Sequence, residues 1–436
     1  MNIRSKTLAV ATLGCKVNQY DTDAVLTQFL EAGYTVVDFD EKADVYIINT
    51  CTVTNMGDRK SRQMIRRAYR NNPSAKVVVM GCLAQTSPEE VGEIEGVNLI
   101  VGTDQRGRIL ELVESLEITQ RESLVEDIFA VRDFEELSVT DFAGRTRAVI
   151  KIQDGCNQFC SYCRVPYARG RSRSRHPQNV IDHVESVVRD GFKEIVLTGI
   201  HLGLYGRDLN PPVTLESIIR QIADIPGVLR LRLGSIEPHE ITDQLLELVA
   251  NNPVVCEHLH IPLQSGSDRI LERMRRSYTT GEYREIVEKV RAEVPELAVT
   301  TDIIVGFPGE TEQDFLETME FAEEMGFSRL HVFKYSKREG TPAASFPQQI
   351  PNKVKNIRSK RLIKLGHSMA QDYHRLFLGK TVYVLVEEVR DGMAEGLTNT
   401  YIRSVFPTSY GEELVGQIIP IRAIKADKQG ILGECV

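Results

Sequence analysis

No apolar run in this chain approaches the roughly 18–20 residues that a bilayer-spanning helix needs, so no membrane span is expected. Cysteine is sparse. Eight in 436 residues are too few for the dense disulfide framework of a small secreted scaffold. Internal repeats and low-complexity tracts are absent, so nothing points to a repeat array or a disordered tail. Positive charge is not in excess either. A net charge of −8 argues against indiscriminate binding to nucleic acid. The opening stretch MNIRSKTLAVATLGC lacks the pattern of a signal peptide and reads as a short apolar strand. What is present is a 42% hydrophobic content, ample for packed cores. The length calls for two or three domains. A soluble, intracellular, cytoplasmic enzyme is the expectation.

Most of the chemistry lies in Cys156, Cys160 and Cys163, spaced C-x₃-C-x₂-C within DGCNQFCSYCRVPYARGR. Three thiolates can hold three corners of a cubane [4Fe–4S] cluster, which is normally held by four cysteines. One iron is then left open for a small molecule that accepts an electron. A structural zinc site would want C-x₂-C pairs and a fourth ligand, yet His176 lies thirteen residues beyond Cys163. Cys15, Cys51 and Cys82 each follow a strand-like run directly. Ligands of open α/β sheets sit at the carboxyl ends of the strands. Three strands of one parallel sheet would therefore bring these thiols to one edge, and a second open-iron cluster is expected there. Cys256 and Cys435 read as inert thiols.

The organisation is that of an α/β protein. Runs at 8–14, 45–50, 76–81 and 98–102 read as strands alternating with helical patterns, which gives an N-terminal α/β domain with a parallel sheet over 1–115. Residues 116–144 are acidic and poorly periodic, the mark of a linker or a crossing strand. Six strand–helix units begin at 148, 194, 229, 257, 299 and 329. They predict a partial (β/α)₆ barrel over 145–370, open on one side, with functional residues at the carboxyl ends of its strands. Residues 371–436 hold short glycine-punctuated strands and read as a small five-stranded β-barrel of the oligonucleotide-binding kind. That domain carries six basic and eight acidic side chains from 379 onward, which suits RNA poorly. Tyr401 and Phe406 could still stack on bases.

Charge is uneven along the chain. Residues 164–175 carry five arginines and no acid, and residues 59–70 carry six basic residues and no acid. Such clusters are the electrostatic footprint of phosphate binding, or else a solvated face. Arg169, Arg171, Arg173 and Arg175 are the candidate phosphate contacts, where a planar guanidinium suits bidentate pairing.

The motifs TLGCKVNQYDT, INTCTVT, MGCLAQ, DGCNQFCSYCRVPYARGRSRSR, LTGIHLGLYG, PLQSGSDRIL and DIIVGFPGET together resemble the methylthiotransferases of the radical S-adenosylmethionine (SAM) superfamily. The first most resembles the branch acting on tRNA N6-threonylcarbamoyladenosine, since related branches lack the Lys-Val after the cysteine. Those branches act on isopentenyladenosine in tRNA or on a ribosomal-protein aspartate. The resemblance implies a C-terminal TRAM domain, two [4Fe–4S] clusters and SAM as both methyl donor and radical source. It also implies a tRNA anticodon stem-loop as partner, reduced flavodoxin or ferredoxin as electron donor, and a monomer. The Cys156/Cys160/Cys163 cluster would cleave SAM to a radical that abstracts hydrogen from C2, and the Cys15/Cys51/Cys82 cluster would hold the sulfur. Tyr162 would contact the adenine of SAM and Gly199 would let backbone approach its methionyl group. Ser235, Glu237, Gln264 and Ser265 would serve as strand-end contacts. Gly306, Phe307 and Pro308 would pack the adenine. Readings from other classes are an iron–sulfur electron carrier and a non-catalytic tRNA-binding protein.

Overall fold

The computed structural model describes residues 6–139 and 144–436. Residues 1–5, and 140–143 within the acidic segment, lie outside the described residues. Strands β1 (Thr7–Thr12), β2 (Thr35–Val36), β3 (Val45–Thr50), β4 (Lys76–Gly81), β5 (Val97–Val101) and β6 (Glu122–Leu124) form one parallel sheet in the order β2-β1-β3-β4-β5-β6. The run VYIINT of β3 is buried at every position, as a parallel strand covered on both faces requires. Its side chains alternate between two cores. Tyr46 and Ile48 pack under the helix Asn55–Asn71 through Ile65 and Ala68. Val45 and Ile47 pack under the helix Lys16–Glu31 through Val25 and Phe29. Part of the acidic segment is a strand of this sheet, since β6 pairs with β5.

The central region has β7 (Arg147–Lys151), the short antiparallel pair β8 (Gln153–Asp154) and β9 (Arg173–Ser174), then β10 (Glu194–Thr198), β11 (Arg230–Leu233), β12 (His258–His260), β13 (Ala298–Val305) and β14 (Arg329–Lys334). Two parallel sheets, β11-β10-β7 and β12-β13-β14, are joined by parallel bridges at Leu231–Val255 and Ser235–His260. The result is a six-stranded curved sheet whose edges are β7 and β14. Helices between the strands are set by caps written in the sequence. Thr279 with Glu282, and Thr311 with Asp314, close reciprocal capping boxes on Thr280–Glu293 and Glu312–Met325.

The helix Asn352–Arg375 packs along β14 and leads into a closed barrel of β15 (Thr381–Arg390), β16 (Met393–Thr398), β17 (Arg403–Pro407), β18 (Ile418–Ala426) and β19 (Ile431–Cys435), ordered β15-β16-β17-β19-β18. An expected boundary at 370/371 falls inside this helix, because Tyr373 and Phe377 belong to the barrel's apolar core. Phe406 is fully buried in that core and is not available to stack on bases, contrary to expectation.

The small barrel docks on the amino ends of the central strands. Arg232 donates from Nη1 to the Asn399 carbonyl (2.9 Å) and from Nη2 to the Thr398 carbonyl (3.0 Å), while its Nε meets Glu194 at 2.8 Å. Arg230 donates to the Tyr383 carbonyl (2.6 Å). Arg232→Met would leave a buried carboxylate with one weaker partner and two carbonyls without theirs. Removing one member of a buried pair costs about 3–5 kcal/mol, so a clear fall in the urea midpoint is expected.

Candidate functional site

Cys51 and Cys82 follow β3 and β4 directly and Cys15 lies three residues past the end of β1, so the carboxyl ends of three neighbouring strands present all three. Asn18, one turn into the helix Lys16–Glu31, holds these ends together. Its Nδ2 donates to the Leu13 carbonyl (2.7 Å) and the Thr50 carbonyl (2.9 Å), stapling the loops that carry Cys15 and Cys51. Its Oδ1 lies 4.0 Å from Cys15 Sγ and 3.8 Å from Cys82 Sγ. Arg338 of the central domain clamps the Cys51 loop by donating to Thr52 Oγ1 (2.7 Å) and Asp58 Oδ2 (2.6 Å). Burial pushes the Cys82 thiol up to about 12.

The second triad sits on the loop closed by β8 and β9. Gly155 opens it at φ +74°, where a Cβ would lie 1.9 Å from the Arg171 carbonyl oxygen; only glycine permits that closure. Cys156 Sγ lies 3.4 Å from His201 Nδ1, and the other ring nitrogen meets Glu240 at 3.0 Å. Burial opposes the imidazolium, but the bonds to Cys156 and Glu240 outweigh it and hold His201 up at about 10. Arg276 Nη1 donates to Cys160 Sγ (3.3 Å) and Nη2 pairs with Glu237. Burial pushes the Cys163 thiol up to about 12.

Between the triads lies a buried charge network. Asp21 meets Lys151 at 2.5 Å and Arg169 at 2.8 Å, and Asp154 meets Arg169 at 2.9 Å and Lys151 at 3.2 Å. Arg106 spans Asp21 (2.5 Å) and Glu135 (2.7 Å). Arg169 Nη2 also donates to Asn18 Oδ1 (2.6 Å), so the network reaches the first triad directly.

One cavity of about 790 Å³ is lined by Cys15 of the first triad and by Cys156, Cys160 and Cys163 of the second, together with Tyr162, Gly199, Ser235, Glu237 and Gln264. Gly199 is pressed against Gln153, whose Oε1 would lie 2.8 Å from a Cβ there. The donor set fits cubane clusters. Among the described residues only His260, Asp302 and His331 bring three His, Cys, Asp or Glu ligand atoms within 4.8 Å of one another. Neither cysteine triad is gathered as tightly as a single zinc ion demands, with sulfurs about 3.8 Å apart. A cubane spreads its thiolates over separate irons.

Several expected site residues lie elsewhere. Ser265 is buried against Thr318. Phe307 is fully buried against Tyr335 and Phe346. The Gly306 and Phe307 amides donate to Glu310, and the Pro308 carbonyl accepts from Arg273. None of the four lines the cavity. The arginine loop is not one exposed patch either. Arg169, Arg173 and Arg175 are buried. Arg169 pairs with Asp21 and Asp154, and Arg175 with Glu136 at 2.8 Å. Arg171 alone of the four is exposed. On the helix Asn55–Asn71, Arg62 and Arg67 are paired with acids, whereas Arg59, Lys60, Arg66 and Arg70 face solvent.

Sequence reasoning did not find Asn18, His201 or Arg276. Asn18 and His201 sit inside quoted motifs, three residues after Cys15 and two after Gly199, a usable signal. Arg276 has no local one. High thiol pKa values mean that each triad sheds protons when it takes up iron. Iron incorporated at limiting supply is therefore expected to rise from about pH 6.5 to about pH 8.5, measured anaerobically as bound iron and sulfide.

Residues 7–102 match the model of an uncharacterised protein family, UPF0004, and residues 150–322 that of the radical SAM superfamily. The chain is 46% identical over 426 residues to the threonylcarbamoyladenosine tRNA methylthiotransferase MtaB of Bacillus subtilis, covering 96% of this chain and 94% of that one. It is 35% identical to the tRNA-2-methylthio-N(6)-dimethylallyladenosine synthase of Clostridium novyi, covering 100% and 98%. The fold is similar to that of the radical SAM methyltransferase TsrM of Kitasatospora setae, with TM-score 0.55 and 16% identity over 90% of this chain and 80% of that one. With both family models falling on the domains that carry the two cysteine triads, and relatives matching nearly end to end, the chain belongs to the radical SAM methylthiotransferases.

Proposed function

We propose that this protein adds a methylthio group to C2 of N6-threonylcarbamoyladenosine at position 37 of tRNA, beside the anticodon. The observation that carries this reading is one cavity lined both by Cys15 of the first triad and by all three cysteines of the second. Identity of 36–46% to relatives named for this activity supports the substrate. Cys156, Cys160 and Cys163 would hold one [4Fe–4S] cluster and Cys15, Cys51 and Cys82 the other. Bound with SAM, the clusters supply the one-electron chemistry that replaces an inert C2–H bond by a carbon–sulfur bond.

The chain's own residues prepare the site. Arg276 places a positive charge on Cys160 Sγ and is held there by Glu237. His201 does the same for Cys156, held by Glu240. Cations against thiolates stabilise the anionic ligand set in a medium with little water. Tyr162 is half-buried in the cavity wall beside the triad, and desolvation holds its hydroxyl far above its ordinary pKa, so it acts as a neutral wall. An electron carrier has no need of a substrate-sized cavity between its centres, which disfavours that alternative. A flavodoxin or ferredoxin as electron source, a monomeric state and a cytoplasmic location accord with the reading. No described helix is long and apolar enough to cross a membrane.

Nucleoside mass spectrometry of tRNA from cells lacking the gene should show N6-threonylcarbamoyladenosine without its 2-methylthio form, restored by the native gene. Accumulation of unmodified isopentenyladenosine instead would sink the substrate assignment. The Cys15/Cys51/Cys82→Ala variant should keep about four of about eight irons and still form 5′-deoxyadenosine, but attach no sulfur.

Exposed arginines are the remaining phosphate contacts. Arg171→Ala is expected to weaken tRNA binding and lower the slope of log affinity against log salt by about one. An unchanged slope would place the RNA path along Arg59, Lys60, Arg66 and Arg70.

A further inference from the structure

The cavity is electrically lopsided. Its lining holds five Lys or Arg side chains against two acids, Glu237 and Asp302. Both acids are taken, Glu237 by Arg276 and Asp302 by two histidines. Lys16 is not compensated. Among the described residues its ammonium makes no ion pair and no hydrogen bond, and lies 5.6 Å over the Tyr401 ring. Lys16 follows Cys15 directly, so its charge stands beside a ligand of the first triad.

His331 is the other unused group. Its Nδ1 meets Asp302 Oδ1 at 3.1 Å, and its ring stacks on His260 with centroids 5.6 Å apart. His260 is pinned through its own Nδ1 to Thr300 Oγ1 at 2.9 Å. The register Asp302↔His331 between β13 and β14 fixes the pair on strands. His331 Nε2 has no partner among the described residues, and 40% of the side chain is exposed where it lines the cavity.

Adenine geometry brings these groups into play. C2 and C6 flank N1, so a substituent on N6 projects beside the ring edge that offers C2. A base presenting C2 to the Cys15 triad therefore sets its N6 substituent next to the residue that follows Cys15. A threonylcarbamoyl group is joined through the amino group of threonine, which leaves a carboxylate and a hydroxyl free. We propose that Lys16 and His331 form the subsite for this substituent. The Lys16 ammonium pairs with its carboxylate and His331 Nε2 hydrogen-bonds its hydroxyl. This rests on the threonylcarbamoyladenosine reading above. An aliphatic N6 substituent would displace water from the ammonium and return nothing, which is how a polar site rejects an apolar analogue.

The test uses the reconstituted full-length holoenzyme with SAM and three anticodon stem-loop RNAs. Position 37 carries threonylcarbamoyladenosine, its neutral methylamide, or glycylcarbamoyladenosine, which lacks the hydroxyl. Native enzyme should bind the carboxylate over the methylamide by roughly tenfold or more, as a charge-assisted contact provides. Lys16→Met should cut that preference to within about twofold, while Lys16→Arg retains it. His331→Phe, remote from the cysteines, should abolish the preference for threonyl over glycyl and keep that for carboxylate over methylamide. A native enzyme that binds all three alike, or a carboxylate preference that survives Lys16→Met, would overturn the subsite. So would a divalent metal beyond the cluster irons that is lost with His331→Phe, since the histidines would then be ligands. If the native holoenzyme methylthiolates the threonylcarbamoyl RNA, a failure of discrimination falls on the subsite alone. If it does not, the functional reading falls and the subsite with it.

Discussion

The buried ion network around Asp21 and Asp154 is the constraint on which the two-triad arrangement depends. Its cations come from the N-terminal domain (Arg106), the first barrel strand (Lys151) and the cysteine loop (Arg169). Its anions come from the helix behind Cys15 (Asp21), from β8 (Asp154) and from the segment joining the domains (Glu135). Burial alone would raise both aspartate carboxyls. Arg169 and Lys151 overturn that at Asp154, and Arg106 and Lys151 at Asp21, holding both below the usual carboxylate range. The Arg106–Asp21 contact is close but not aligned as a hydrogen bond, so charge rather than direction holds it. Such a network costs several kcal/mol per ion in desolvation. A packed apolar interface would serve stability as well. What ions add is registry: each has partners in one relative placement of the domains, and any slip strands a charge in a dry interior.

That registry bears on chemistry because Arg169 continues it to Asn18, and Asn18 touches two of the three sulfurs in the first triad. The Gly170 amide and carbonyl on the same short turn meet Pro166 and Cys156. One segment therefore reports to both triads, and their separation is set by side chains rather than by loops free to drift. Radical chemistry tolerates little displacement between the reacting centres, which gives a physical reason to spend buried charge here.

Much of the fold was legible in the sequence. The N-terminal strands announced themselves as β-branched runs of the right length, and the post-strand cysteines followed from strand ends being ligand ends. The arginine loop was misread for a definite reason. A run without a local acid looks like an unpaired surface, yet Asp21, Asp154 and Glu136, which neutralise Arg169 and Arg175, are distant in sequence or on another strand. Phe307 and Ser265 fall in family-like motifs, but the turn that carries Phe307 is tied down by Glu310 and turned inward. Arg276 could not be found at all, because its role exists only where the strands bring Cys160 and Glu237 to it.

The weak basicity of the small C-terminal barrel finds an explanation in where it sits. Tyr401, at φ +67°, turns its ring inward from the barrel loop to line the main cavity. Arg232 lies 4.4 Å from the ring centroid, His258 5.0 Å, and Arg147 Nη1 donates to the hydroxyl at 3.1 Å. Arg230 and Arg232 supply the positive charge at this seam, and the barrel answers with backbone carbonyls and an aromatic face. Additional lysines or arginines on the barrel side would repel those guanidiniums. A neutral-to-acidic barrel is therefore what docking on these strand ends requires. Its contribution to the site is to close the floor of the cavity, so that a base entering between the triads meets Tyr401 and Lys16 instead of bulk water.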